Sequence, residues 1–154
     1  MNSLLAFNIN ATASDLNAFY KHHAYEGRMS PADTGVTLAN DTGIVAALRL
    51  IHYPDEVRIR HLFTALAHRQ QGLASHLLRQ TVLHTRSEPT RITLICATPL
   101  AHFYCRNGFC PYPYLYPEDT PSPPVTRTEH KLIHSGRYQL MHYPTAPPPH
   151  RLRS

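Results

Sequence analysis

The stretch from residue 57 to residue 97 constrains the fold more than any other part of the chain. Val57 to Ala65 alternates at first, with Val57 and Ile59, and becomes continuously apolar at Leu62-Phe63, as a strand does when it becomes more buried along its length. Gln71 to Thr85 places Leu73, Leu77, Leu78 and Val82 on one helical stripe, with Arg79, Gln80 and Arg86 outward, and Ser87-Glu88-Pro89 ends it. Ile92 to Ala97 is a nearly unbroken apolar run of the kind found in parallel strands buried on both faces. Strand, helix and strand in this order form a crossover, and its first turn, Arg69-Gln70-Gln71-Gly72-Leu73-Ala74, is where an anion should sit. Amides at a helix start lack internal partners, the helix dipole adds positive charge, and Gly72 and Ala74 leave the backbone approachable. A Walker A loop needs Gly-Lys-Ser/Thr and a dinucleotide fingerprint needs three spaced glycines; neither is present.

The flanking segments extend this unit. Leu4 to Ile9 reads as a first strand, and Leu16, Phe19, Tyr20 and His23 recur at helical spacing after a cap at Ser14. Tyr25 to Asp33 reads as a loop. Val36 to Ala39 and Ile44 to Ile51 read as strands joined by the hairpin turn Asn40-Asp41-Thr42-Gly43. Beyond the crossover, Thr98-Pro99 reads as a cap and first helical position, opening a short helix through Arg106 that Asn107-Gly108 closes before Phe109 starts a strand. Prolines 117, 121, 123 and 124 mark a surface loop, Tyr138 to Tyr143 a final strand, and the proline-rich basic tail from Pro144 a disordered end. One domain over residues 1–143 is expected.

Composition excludes several classes. The apolar runs fall well short of the roughly 18 residues a membrane helix requires, and Leu4-Leu5-Ala6-Phe7 lacks the flanks of a secretion signal, so a cytoplasmic protein is expected. Cys96, Cys105 and Cys110 offer no paired zinc spacing and read as reduced thiols. Twelve histidines are present, but no His-x-x-x-His pair is expected on a helix, and no metal is expected. The formal charge of +5 comes from scattered residues, which argues against a nucleic-acid surface and suits a polyphosphate ligand.

Arg69-x-x-Gly72-x-Ala74 after a strand, followed by Ala101-His102-Phe103-Tyr104-Cys105-Arg106-Asn107-Gly108-Phe109, resembles the two signature segments of the GNAT superfamily of acyl-CoA-dependent acyltransferases. Thr64 and Leu66 stand where that family commonly has Val and Pro, and Ala74 replaces the commoner Gly. The resemblance implies an α/β fold with a mixed, mostly antiparallel sheet of six to seven strands, helices on both faces, and a splay between the fourth and fifth strands. It implies acetyl-CoA as cosubstrate, its pyrophosphate held by Arg69, Gln70, Gln71, Gly72, Leu73, Ala74 and Ser75, and its pantetheine arm paired with backbone around Leu62, Phe63 and Thr64. An acceptor amine would attack directly in a ternary complex, with Tyr104 as the general acid, since a phenol of pKa ~10 stays protonated at neutral pH.

The base is less determined. His61 is one candidate by its near-neutral titration, and a water chain or an amine arriving neutral are others. By the same resemblance His22, His23 and Glu26 border the acceptor, whose pocket would involve residues 22–33 and 111–126, with Tyr112, Tyr114 and Tyr116 as an aromatic wall. An acidic acceptor would suit the positive charge, whereas Glu118, Asp119 and Glu129 would serve a cationic amine. A non-catalytic acyl-CoA sensor on the same fold is the alternative, and the final strand could pair across a homodimer.

Overall fold

A computed structural model describes residues 4–85, 91–112 and 125–144. Their elements are β1 (Ala6–Ala11), α1 (Ala13–His22), β2 (Thr34–Asn40), β3 (Gly43–Tyr53), β4 (Glu56–Thr64), α2 (Leu73–Thr85), β5 (Arg91–Ala97), α3 (Ala101–Arg106), β6 (Cys110–Pro111), α4 (Arg127–His134) and β7 (Tyr138–His142). Seven strands form one sheet in the order β1-β2-β3-β4-β5-β7-β6, and every neighbouring pair is antiparallel except β4 and β5. This is the expected mixed α/β architecture.

The parallel pair is also the weak seam. β4 and β5 stay in register from Glu56↔Arg91 to Ile59↔Leu94 and then part, although β4 runs on to Thr64 and β5 to Ala97. On its other edge β4 remains paired with β3, through a bulge where Ala47↔Phe63 gives way to Arg49↔Arg60. Two residues on β4 there face one on β3, and His61 takes up the distortion with φ of 58°. The sheet is thus split beyond Ile59 and Leu94.

Each face of the sheet is covered separately. α2 lays Leu73, Leu77, Leu78 and Val82 on Val36, Leu48, Leu50 and Ile59, and Tyr104 and Phe109 join the same core. On the other face α1 packs Leu16, Phe19 and Tyr20 against Met29, Ala47 and Ala65. Burying a side chain of this size contributes roughly 1.5–3 kcal/mol, so the two apolar layers hold the sheet between them.

Several boundaries differ from expectation. Thr12 rather than Ser14 caps α1, its Oγ1 accepting from the amide of Asp15 at 3.0 Å. α2 starts at Leu73 rather than Gln71. Thr98 does not cap the helix that follows; its hydroxyl donates to the Gly136 carbonyl at 2.8 Å, and a 3₁₀ turn over Thr98–Leu100 leads into α3. The strand after α3 is Cys110–Pro111, so Phe109 lies before it, buried in the core. α4 was not expected at all. It starts at a capping box, in which Thr126 Oγ1 accepts from the Glu129 amide and Glu129 Oε1 accepts from the Thr126 amide, both at 3.0 Å. α4 also sets His130 and His134 one turn apart with stacked rings at 5.5 Å, yet among the described residues no group of three or more metal-ligating side chains gathers. No helix among them is long and apolar enough to cross a membrane. The expected tail and most of the proline-rich loop, with Tyr114, Tyr116, Glu118 and Asp119, lie outside the described residues.

Candidate functional site

The turn between β4 and α2 is built from backbone. Residues Leu66–His68 form a 3₁₀ turn, Gln70 and Gly72 both have positive φ, 63° and 74°, and the Gly72 carbonyl accepts the first helical bond, from His76, at 3.0 Å. A Cβ at Gly72 would meet nothing within 4 Å, so glycine is favoured there by its left-handed conformation rather than by crowding, and it leaves open space in front of the helix. The amides of Leu73, Ala74 and Ser75 open the helix without an intrahelical acceptor. Arg69 braces the turn: its Nε donates to the Thr64 carbonyl at 3.0 Å, and its guanidinium lies 5.1 Å from the centre of the Phe63 ring.

In front of these amides lies a cleft of about 440 Å³. Of the residues expected at the cofactor, Leu62, Thr64, Arg69, Gln70, Gly72, Leu73, Ala74 and Ser75 line it, and Tyr104 lines it with them. Phe63 and Gln71 are not in its wall. Phe63 points through the other face of the sheet, where it packs on Phe19 and Tyr25. His68, Leu100, Phe103 and Arg106 line the cleft without having been expected. Helical spacing was the missed signal, since Leu100, Phe103, Tyr104 and Arg106 fall on neighbouring turns, and Arg106 adds a cation to the cleft wall.

Tyr104 is buried beside Phe103 and Phe109. Burial first, then the neighbouring Cys96 and Tyr25, pushes its phenol well above the ordinary tyrosine range. It is therefore a protonated donor across the neutral pH range. Cys96, buried under it, is itself pushed up to about 11, while Cys105 is exposed. Cys96 therefore lacks the character of an activated nucleophile.

His61 lies on the opposite face. Its Nδ1 accepts from Arg49 Nε at 2.9 Å, its carbonyl accepts from the Tyr20 hydroxyl at 2.6 Å, and its ring packs on Tyr20 and Tyr25. Burial, with help from Arg49 and Arg60, lowers its pKa to about 4. The imidazole is neutral with Nδ1 occupied, which argues against a base acting through that atom. Gly27 permits this packing, since a Cβ there would fall 2.6 Å from the Tyr25 ring and 2.9 Å from His61. His22 and His23 line a different cleft, of about 600 Å³, between α1 and the β2-β3 turn, and Glu26 is exposed on the loop between.

Glu129 is not available to a cationic amine. Its Oε1 accepts from Arg58 Nη1 at 3.1 Å and its Oε2 from Arg60 Nη1 at 2.7 Å, closing a buried network that includes Glu56, Arg91 and Thr93. Tyr112, expected in an aromatic wall, packs on His142 at 5.2 Å with Arg91 over its ring.

A sequence model described as an acetyltransferase (GNAT) domain matches residues 32–111, just over half of the chain. No curated protein matches by sequence. Among solved structures, ElaA of Escherichia coli superposes with a TM-score of 0.63 at 16% identity, over 92% of this chain and all of that one. N-acetylglutamate synthase of Neisseria gonorrhoeae, solved with coenzyme A and N-acetyl-glutamate, gives 0.61 at 12% identity over 94% of this chain, which spans 36% of that enzyme's chain. NAA60 of Arabidopsis thaliana, solved with a bisubstrate analogue, gives 0.60 at 13% identity over 91% of this chain and 98% of that one. At these identities the likeness is one of fold.

Proposed function

The chain belongs to the GNAT acetyltransferase family, and from that premise we propose that it moves an acetyl group from acetyl-CoA to a primary amine of a small molecule or protein by direct attack in a ternary complex. The observation that carries this reading is that the unpartnered amides at the start of α2 and the Tyr104 phenol line one cleft. Acetyl-CoA supplies the activated acyl group.

The chain's own groups do the rest. Amides 73–75 hold the pyrophosphate, with Arg69 and Arg106 adding positive charge to the lining of the cleft. The edge of β4 beyond Ile59, without a β5 partner, offers backbone around Leu62 and Thr64 to the pantetheine arm and donors to the thioester carbonyl, where negative charge develops during attack. As the C–N bond forms and the C–S bond breaks, the amine loses one proton and sulfur gains one; Tyr104 donates at the sulfur. With Nδ1 of His61 engaged by Arg49, the proton leaving the amine passes to water or the amine arrives neutral.

The same geometry at His61 favours a second reading, a non-catalytic acyl-CoA sensor, and turnover separates the two. Calorimetry with acetyl-CoA should show micromolar binding to the natural protein and a loss of about 100-fold or more, about 2.7 kcal/mol, in Gly72→Glu. That side chain would place a carboxylate in the space meant for the pyrophosphate. No binding by the natural protein overturns both readings; binding without acetylation in an amine screen leaves the sensor.

A further inference from the structure

β4 presents Glu56, Arg58 and Arg60 at alternate positions, hence on one face, opposite α2. Arg58 is fully buried and donates to Glu56 Oε2 at 2.7 Å, to Glu129 Oε1 at 3.1 Å and to Thr93 Oγ1 at 3.1 Å. Arg91 reaches Glu56 Oε1 at 3.3 Å, and Arg49 pairs with Asp33 at 2.5 Å. Among the described residues, four guanidinium groups on this face therefore share three carboxylates, one fewer than their charges. All four carboxylate oxygens of Glu56 and Glu129 are already engaged, so the network has nothing with which to hold a cation.

Arg60 is where the excess charge is accessible. Its side chain is 30% exposed, more than those of Arg58, Arg91 or Arg49. Only Nη1 is used, on Glu129; among the described residues Nε and Nη2 have no partner. Those two N–H groups form one edge of the guanidinium, the side-on fork that takes both oxygens of a carboxylate. The position is also apt, because Arg60 is the first residue past the last β4–β5 pair and so stands at the base of the split. The ring of Tyr25 packs on His61, the residue that follows Arg60. Glu26, on the same loop as Tyr25, is exposed and makes no ion pair with Arg60 among the described residues.

We propose that Arg60 anchors a carboxylate carried by the acceptor, so that the substrate class is an amine bearing a carboxylate rather than a polyamine or other cationic amine. The inference rests on the acetyl-transfer reading, which places an acceptor at the split.

Product-like probes test it without requiring turnover. The full chain, saturated with coenzyme A, is titrated calorimetrically with N-acetylated α-, β- and γ-amino acids and with the matching carboxamides. At least one carboxylate should bind about tenfold or more tightly than its amide, a difference of about 1.4 kcal/mol or more. Arg60→Gln should abolish the preference and Arg60→Lys keep part of it, while coenzyme A affinity stays that of the natural protein in both. Equal binding of acid and amide, no binding of any carboxylate, or a preference that survives Arg60→Gln overturns the proposal. Failure of the natural protein to bind coenzyme A strikes the acetyl-transfer reading, whereas coenzyme A binding without a carboxylate preference strikes this inference alone. Thermal melting of both variants checks that the Arg58–Glu129 pair still holds the fold.

Discussion

On the α2 side of the split an anion would be met by backbone, by the amides that open α2 in front of a glycine with φ of 74°. On the α4 side the positive charge belongs to side chains, four arginines held by three carboxylates and largely removed from water. The first arrangement costs little in desolvation, because a helix must leave those amides unpaired anyway. The second stands only while every partner stays in place, since a buried ion left alone is far more costly than an apolar replacement of the pair. Ligand binding on one face should therefore be separable from fold stability, and on the other face the two should be entangled.

Glu129→Ala is the most severe way to break that comparison. It strands Arg58 with half its counter-charge, releases Arg60 and removes one arm of the α4 capping box. Denaturant unfolding should show a loss of about 3–5 kcal/mol, a large part of what a domain has to lose. Acetyl-CoA affinity, measured where the variant is still folded, should stay that of the natural protein. A loss below about 1 kcal/mol would mean that the network is no more than a set of surface pairs.

Tyr104→Phe makes the complementary cut. The phenyl ring keeps its place against Phe103 and Phe109, so folding should change little, and acetyl-CoA should still bind. Turnover should fall about 100-fold or more, the usual contribution of a positioned proton donor. Unchanged turnover would remove Tyr104 from the chemistry and leave it a core residue.

The two faces also differ in how much of them the sequence discloses. The cleft comes from contiguous residues, Arg69 to Ser75, and from one short helix around Tyr104, so spacing alone brings its parts together. The α4 face joins Arg58 to Glu129 across 71 positions, which no local pattern encodes. Two partial signals were nonetheless present: Thr126-x-x-Glu129 is a capping box, and the charges at 56, 58 and 60 alternate with Val57 and Ile59 on a strand too apolar to lie at the surface. The prolines at 117, 121, 123 and 124 carry the stronger local pattern, that of a loop. The direction of the Phe63 ring was hidden for a different reason: the bulge at His61 breaks the strict alternation of β4 and turns that side chain towards α1.

His61 supplies the smallest test, through pH. Its folded-state pKa of about 4 lies below the ordinary 6.5, first because of burial and then because of Arg49 and Arg60. Between those values the unfolded chain binds more protons than the folded one, so stability should fall as pH falls from 6.5 towards 4 and change little above that window. The slope should be less than about 1.4 kcal/mol per pH unit, since the ring is only partly buried and solvent screens it. His61→Asn removes the titration while keeping a residue that tolerates φ of 58°. The variant loses packing against Tyr25, so the slope with pH and not the absolute stability carries the comparison. A residual slope remains from His23 and His142, both also lowered by burial. If His61→Asn leaves the slope intact, the imidazole is not what the acid reaches, and the arginines around it do not hold it neutral.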